Sequence, residues 1–102
     1  MDDKGLYAGL MRLHILHHAA EQEVCGVWVM QELRRHGYEI SPGTLYPMLH
    51  GLERKGYLHS TKERVGKTMR RLYSITSEGK TALGEAKEKV RDLYGELILP
   101  SA

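Results

Sequence analysis

"ISPGTLYPMLHGLERKGYL", residues Ile40–Leu58, sets Pro42, Gly43 and Pro47 among Leu45, Met48, Leu49 and Leu52, which recur at helical spacing. At about 100° per residue those four fall on one stripe. The opposite side carries Gly43, Pro47, His50, Gly51 and Arg54. Thr44 and Lys55 flank one edge, Tyr46 and Glu53 the other. The stripe suits a core; the outer face is small or polar with one long cation. Ser41 is of the right type to cap this helix, with Pro42 at the first helical position. Pro47 then falls in the second turn, where it loses a backbone hydrogen bond and crowds the carbonyl of Gly43. In the other register Thr44 caps and Pro47 lies in the first turn. The reading leans to a helix from Pro42 with a distorted start. These residues need do no more than begin a helix. Alternatively, Gly43 and Pro47 keep its end slim enough to approach a groove, its free N–H groups suiting phosphate. Thr44, Tyr46, His50 and Arg54 would then face base edges or backbone.

Upstream, Leu6, Leu10, Leu13 and Leu16 mark a first helix to about Ala20, and Val29, Met30 and Leu33 a second after Gly26. Gly37 fits the second helix's end, with Arg34, Arg35 and His36 suiting the negative end of its dipole. Downstream, YLHSTKE and TMRRLYSI read as strands joined by a turn over Arg64, Val65, Gly66 and Lys67. Thr76 caps a last helix, with Ser77 and Glu78 in its first turn, and Pro100 ends it. The order is helix, helix, helix, hairpin, helix. This predicts a mainly α fold with a small β-hairpin: a winged helix-turn-helix domain over residues 1–75 and a C-terminal dimerisation helix over 76–102. The latter is expected to form one compact unit with helix one.

The chain has 102 residues and a net charge of +2. Arg34 to Arg71 holds nine Lys/Arg against three Asp/Glu, so the middle is basic and the flanks acidic. A solvated charged surface and a footprint for a polyanion both fit. No apolar run approaches a membrane span, and the first residues lack the basic-then-apolar order of a secretory signal. A lone Cys25 forms no internal disulfide. A cytoplasmic protein without membrane contact is expected.

In the hairpin, Lys67 at the tip and Arg70 pointing away from the core have reach to adjacent phosphates, each adding salt-dependent affinity. A charged edge that discourages aggregation is the competing reading, and Arg71 has the option of packing its stem under Tyr73. In the last helix Leu83, Ala86, Val90, Leu93 and Leu97 are spaced 3, 4, 3 and 4 apart. Such a seam at coiled-coil period suggests a dimer helix completed by helix one of either subunit. Folding back onto its own domain is the alternative.

The segments SPGTLYPMLHGLERKGYL and RRLYSITSEG resemble the PadR family of bacterial transcriptional regulators, in its short branch with a single terminal helix. The matching motifs are Gly43 to Pro47, Leu52 to Gly56 and Arg70 to Gly79, and the resemblance runs from about Leu6 to Leu97. It implies a winged helix-turn-helix and a homodimer formed through the terminal helix. The dimer would bind double-stranded DNA at a pseudo-palindromic operator, usually to repress, with release by a small-molecule effector. By position, Ser41, Thr44, Tyr46, Pro47, His50 and Arg54 inherit the recognition-helix role, and Lys67, Arg70 and Arg71 the wing role. One departure is Cys25-Gly26-Val27-Trp28-Val29, where the family often has His-Gly-Tyr-Glu-Leu. Trp28 points about 140° from Leu33. It either packs on a neighbouring helix or lines a dimer or effector surface.

His14 and His18 stand at metal-ligand spacing, with Cys25 a candidate third ligand. No CxxC or acidic cluster completes that set, so the histidines read as helix interface or solvent-facing, and no metal or cofactor is expected. Cys25 lacks flanking cations and reads as an ordinary thiol. No phosphate-cradling Gly loop, HExxH or Gly-x-Ser-x-Gly is present, so no enzyme is predicted. The alternatives to a DNA-binding regulator are a winged-helix protein-interaction module and a metal-responsive regulator using His14 and His18.

Overall fold

The computed structural model describes residues 3–99. Its elements are α1 (Lys4–Glu21), β1 (Val24–Cys25), α2 (Gly26–Arg35), α3 (Pro42–Arg54), β2 (Leu58–Val65), β3 (Thr68–Ile75) and α4 (Ser77–Leu97). The mainly helical winged helix-turn-helix is therefore present. The expected stop at Pro100 lies outside the described residues.

The sheet holds one strand more than the pattern suggested. Val24 and Cys25 pair antiparallel with Tyr73 and Leu72, giving the order β1-β3-β2. Two residues are too few for any alternation to register. Strand β2 runs to Val65, so the wing turn is only Gly66 and Lys67, with Gly66 at φ 62°. Lys62 faces Arg71 across the ladder, and Glu63 faces Arg70.

α2 and α3 end alike. Gly37 has φ 92° and Gly56 has φ 84°. The Tyr38 N–H donates to the Leu33 carbonyl and the Tyr57 N–H to the Leu52 carbonyl, each closing a Schellman turn. Arg34 then fastens the link between α2 and α3: its Nε and Nη2 donate to the Ile40 carbonyl at 3.2 and 2.9 Å.

α3 begins at Pro42, and Pro47 lies inside it. Ser41 occupies the cap position in extended backbone, but its hydroxyl makes no capping hydrogen bond, contrary to expectation. Its carbonyl alone starts the helix, accepting from Thr44 and Leu45 at 3.0 Å each. Pro47 has no N–H for the Gly43 carbonyl. Both residues are exposed, so water takes the place of the missing donor and the cost that a proline carries in a dry helix is reduced.

The core gathers Met11 and Ile15 of α1, Leu33 of α2, Leu45 and Leu49 of α3, Leu58 of β2 and Tyr73 of β3, all buried. α4 docks through its first turns. The Thr76 hydroxyl accepts from the Gly79 N–H at 3.0 Å, and Gly79 lies so close to the Tyr57 carbonyl that it has no room for a side chain. Beyond Leu83 the helix leaves the core. Of the predicted seam, Leu83 is buried and Ala86 half-buried, whereas Val90, Leu93 and Leu97 are exposed. Among the described residues no helix is long and apolar enough to cross a membrane.

Candidate nucleic-acid interface

The outer face of α3 forms as its periodicity dictates. Leu45, Met48, Leu49 and Leu52 are buried; Ser41, Pro47, His50 and Arg54 are exposed, and Thr44 is half-buried. The N-terminal end is slim. Pro42, Gly43 and Pro47 present no long side chain to solvent, and no acidic residue lies in the first turn.

Tyr46 sits differently from the outward-facing expectation, whereas Arg54 is exposed on the outer face as expected. Tyr46 is half-buried, and its ring lies over Gly26, where a Cβ would come within 2.7 Å of it. It therefore joins α3 to the start of α2 instead of facing outward. Arg54 lies about 15 Å along the helix from Thr44, bordering a cleft of about 680 Å³ shared with Gly9, Arg12, Ala82 and Ala86. The residues assigned to the recognition helix thus run from a slim, uncharged leading end through His50 to a cationic trailing end.

The wing cations also divide. Arg70 is held by its cross-strand neighbour, Nε to Glu63 Oε2 at 2.9 Å, and its Nη1 lies 3.9 Å from Cys25 Sγ. The Glu63 bond and charge raise the Arg70 pKa, keeping it cationic. Arg71 instead donates from Nη1 to Ser60 Oγ at 3.1 Å. Ser60 in turn donates to Glu53 Oε2 of α3 from Oγ at 2.7 Å and from its N–H at 3.2 Å. Glu53, Ser60 and Arg71 therefore bridge α3 to the wing. Glu53 and Ser60 were not anticipated; the one signal was Glu53 on the edge of the α3 wheel. Among the described residues Arg54, Lys55, Lys62, Arg64 and Lys67 have no ion-pair partner. These cations of the basic middle segment are open to a polyanion, and Arg71, bonded only to a hydroxyl among the described residues, keeps its charge uncompensated.

Trp28 is half-buried and packs edge-on against His18 of α1, with ring centroids 5.3 Å apart. Its other side borders a hollow of about 330 Å³ together with Val27, Tyr46 and Arg71.

An apolar surface is open on α1 and α4. Leu6 is 74% exposed, Leu93 48% and Leu97 71%. Beside them an apolar groove of about 540 Å³ runs between α1 and α4, walled by Leu10, Leu13, Leu83, Val90 and Tyr94.

The histidines of α1 meet α2. His14 stacks on His36 with ring centroids 4.8 Å apart, and one ring nitrogen from each of His14, His18 and His36 lies within 4.8 Å of the others. Burial first, and His36 second, hold His14 below the usual histidine pKa; burial and then His17 do the same for His18. Both rings are thus biased towards the neutral form. Cys25 does not join them as a third ligand: β1 carries it to the wing, beside Arg70.

A model of the "Transcriptional regulator PadR-like family" matches residues 15–85. The chain is 51% identical over 88 residues to the transcriptional regulator Rv3488 of Mycobacterium tuberculosis, covering 86% of this chain and 82% of that one. A PadR family transcriptional regulator from Eggerthella lenta superposes with a TM-score of 0.79 at 28% identity, over 95% of this chain and 88% of its own. A PadR-like transcription factor from Bacteroides fragilis gives a TM-score of 0.80 over 93% of both chains; at 21% identity it speaks for the fold alone.

Proposed function

The chain belongs to the PadR-like family of transcriptional regulators, and from that premise we propose that it represses transcription by binding a pseudo-palindromic operator as a homodimer. It is a transcriptional regulator with a winged-helix DNA-binding fold, not an enzyme. The observation that carries the proposal is the pairing of a slim α3 end with a wing whose Arg64 and Lys67 are unpaired among the described residues. Gly43 and Pro47 allow the α3 backbone to approach a groove, where Ser41, Thr44, His50 and Arg54 meet base edges and phosphates. Lys67 reaches the adjacent phosphate backbone. Tyr46 acts from behind by fixing α3 against Gly26, and Arg70 and Arg71 stiffen the wing as well as contributing charge.

Residues 1–75 serve as the DNA-binding unit and 76–102 as the dimerisation helix, which packs with α1. Val90, Leu93 and Leu97 project from α4 and stay substantially exposed, Leu97 most of all at 71%. A second copy would cover them and set the spacing of two half-sites. Release by a small-molecule effector fits the apolar groove between α1 and α4. Trp28 does not line that groove, so an effector role for it would use the separate hollow beside the wing. The setting is the cytoplasm.

The test is selection of bound fragments from sheared genomic DNA, followed by titration at increasing salt. Recovery of an inverted repeat, bound by two chains with affinity falling steeply as salt rises, is the expected result. Binding without sequence preference would overturn the operator reading. Binding by a single chain would overturn the dimer.

A further inference from the structure

We propose that His14, His18 and His36 form a binding site for a first-row divalent transition metal ion that ties the end of α2 to α1. Three observations converge. The ring nitrogens come from two helices and already lie within 4.8 Å of one another. Nε2 of His18 is fully buried yet has no hydrogen-bond partner, a cost that a polar group seldom bears without a ligand. A carboxylate also stands at the same place: Glu32 Oε1 is 3.8 Å from His18 Nε2 and 3.2 Å from His36 Nε2.

The donor set selects the ion. Imidazole nitrogens with one carboxylate in reach suit Zn²⁺, Co²⁺, Ni²⁺ or Cu²⁺, not Mg²⁺ or Ca²⁺. Bonds of about 2.0–2.1 Å to a tetrahedral ion put the donors roughly 3.4 Å apart, so the rings close in by at most about 1.4 Å. The site can do this, because His36 sits at the C-cap of α2 and is exposed. Glu32 is now engaged by Arg35, and the fourth position falls to it or to water.

A second group, His17, His18 and Glu21, also gathers near α1. It lies on one helix, with His17 52% and Glu21 64% exposed. Nothing holds it in shape beyond the helix itself, so it is the weaker site.

The location gives the ion a consequence. His36 immediately precedes Gly37, the turn into α3, while α1 carries part of the open apolar face. An ion held across them fixes the recognition helix relative to that face, making DNA affinity metal-dependent. This last step rests on the DNA-binding reading; the site does not.

The experiment uses the full chain stripped with chelator, then titrated with Co²⁺ as the spectroscopic probe and Zn²⁺ as competitor. One Co²⁺ per chain is expected, with the intense visible absorption of four-coordinate cobalt bound to nitrogen, displaced by Zn²⁺ and not by Mg²⁺. His36→Ala, at an exposed helix end, should weaken binding at least tenfold, as should His14→Ala; His17→Ala should change it less than twofold. Melting curves establish that the variants are folded, and His36→Ala decides the matter if His14→Ala is not. No cobalt spectrum, or one lost in His17→Ala and kept in His36→Ala, overturns the site. In the second arm, affinity for the recovered DNA fragment is measured with and without Zn²⁺. A change of about fivefold or more is expected, absent in His36→Ala. A change below twofold in the wild type overturns the regulatory half. DNA binding absent at every metal level counts against the operator reading, while the cobalt arm still decides the site.

Discussion

Gly79→Ala and Gly84→Ala make the same chemical change on the same helix, and the structure gives them opposite signs. A Cβ built on Gly79 falls 2.2 Å from the Tyr57 carbonyl oxygen and 2.7 Å from Ile75 Cγ1. Carbon and carbonyl oxygen settle at about 3.3 Å, so α4 or the chain after α3 must yield by roughly 1 Å. The obstacle is backbone, held in place because the same carbonyl accepts from the Thr76 N–H at 3.0 Å. Overpacking costs about 1–3 kcal/mol, and disturbing the Thr76 cap adds about 1 kcal/mol. Helix propensity returns about 1 kcal/mol for Gly→Ala. The net loss is about 1–3 kcal/mol, or a melting temperature lower by roughly 5–20 °C for a domain of this size. Gly84 is exposed with nothing within 4 Å of its built Cβ. There only the propensity gain remains, about 0.5–1 kcal/mol. The assay is thermal and urea unfolding of both variants at one fixed chain concentration, since association adds to apparent stability. If Gly79→Ala melts at or above the wild type, or both variants shift the same way, the contact at Tyr57 does not hold α4 and the reasoning fails.

Leu93→Glu should give monomers in sedimentation, with operator affinity reduced by tenfold or more; an unchanged dimer would remove the seam. Lys67→Ala should weaken all DNA sequences alike and flatten the salt slope by about one. Arg54→Ala should instead relax sequence preference, and an intact preference would exclude Arg54 from base reading. Glu53→Ala leaves Ser60 without its acceptor and Arg71 tied to a loosened hydroxyl. It should cost about 1–3 kcal/mol of stability and release amide protection along β2, which hydrogen exchange would detect.

What could be read from the sequence followed from short-range periodicity. The α3 faces, the glycine end of α2, the Thr76 cap and the hairpin all rest on residues a few positions apart, where helix and turn geometry is nearly fixed. Three features escaped for the converse reason. β1 has two residues, less than one repeat of any pattern. The Glu53–Ser60 bridge crosses an element boundary, and His36 meets His14 only through the packing of α2 on α1. No spacing rule links such pairs. The orientation of Tyr46 is not legible for a related reason: a wheel edge is ambiguous, and whether it faces in or out depends on the neighbour, here the bare backbone of Gly26.

The Glu53–Ser60–Arg71 bridge has a further consequence for how such a protein can diverge. The side chains that hold the wing to α3 are distinct from Ser41, Thr44, His50 and Arg54, the residues proposed to read the target. On that proposed reading, stiffness and target choice are encoded at separate positions. A duplicated copy of this chain would then drift to a new DNA target through a few changes among those reading positions, each judged on recognition alone, while the frame that presents them is inherited unaltered.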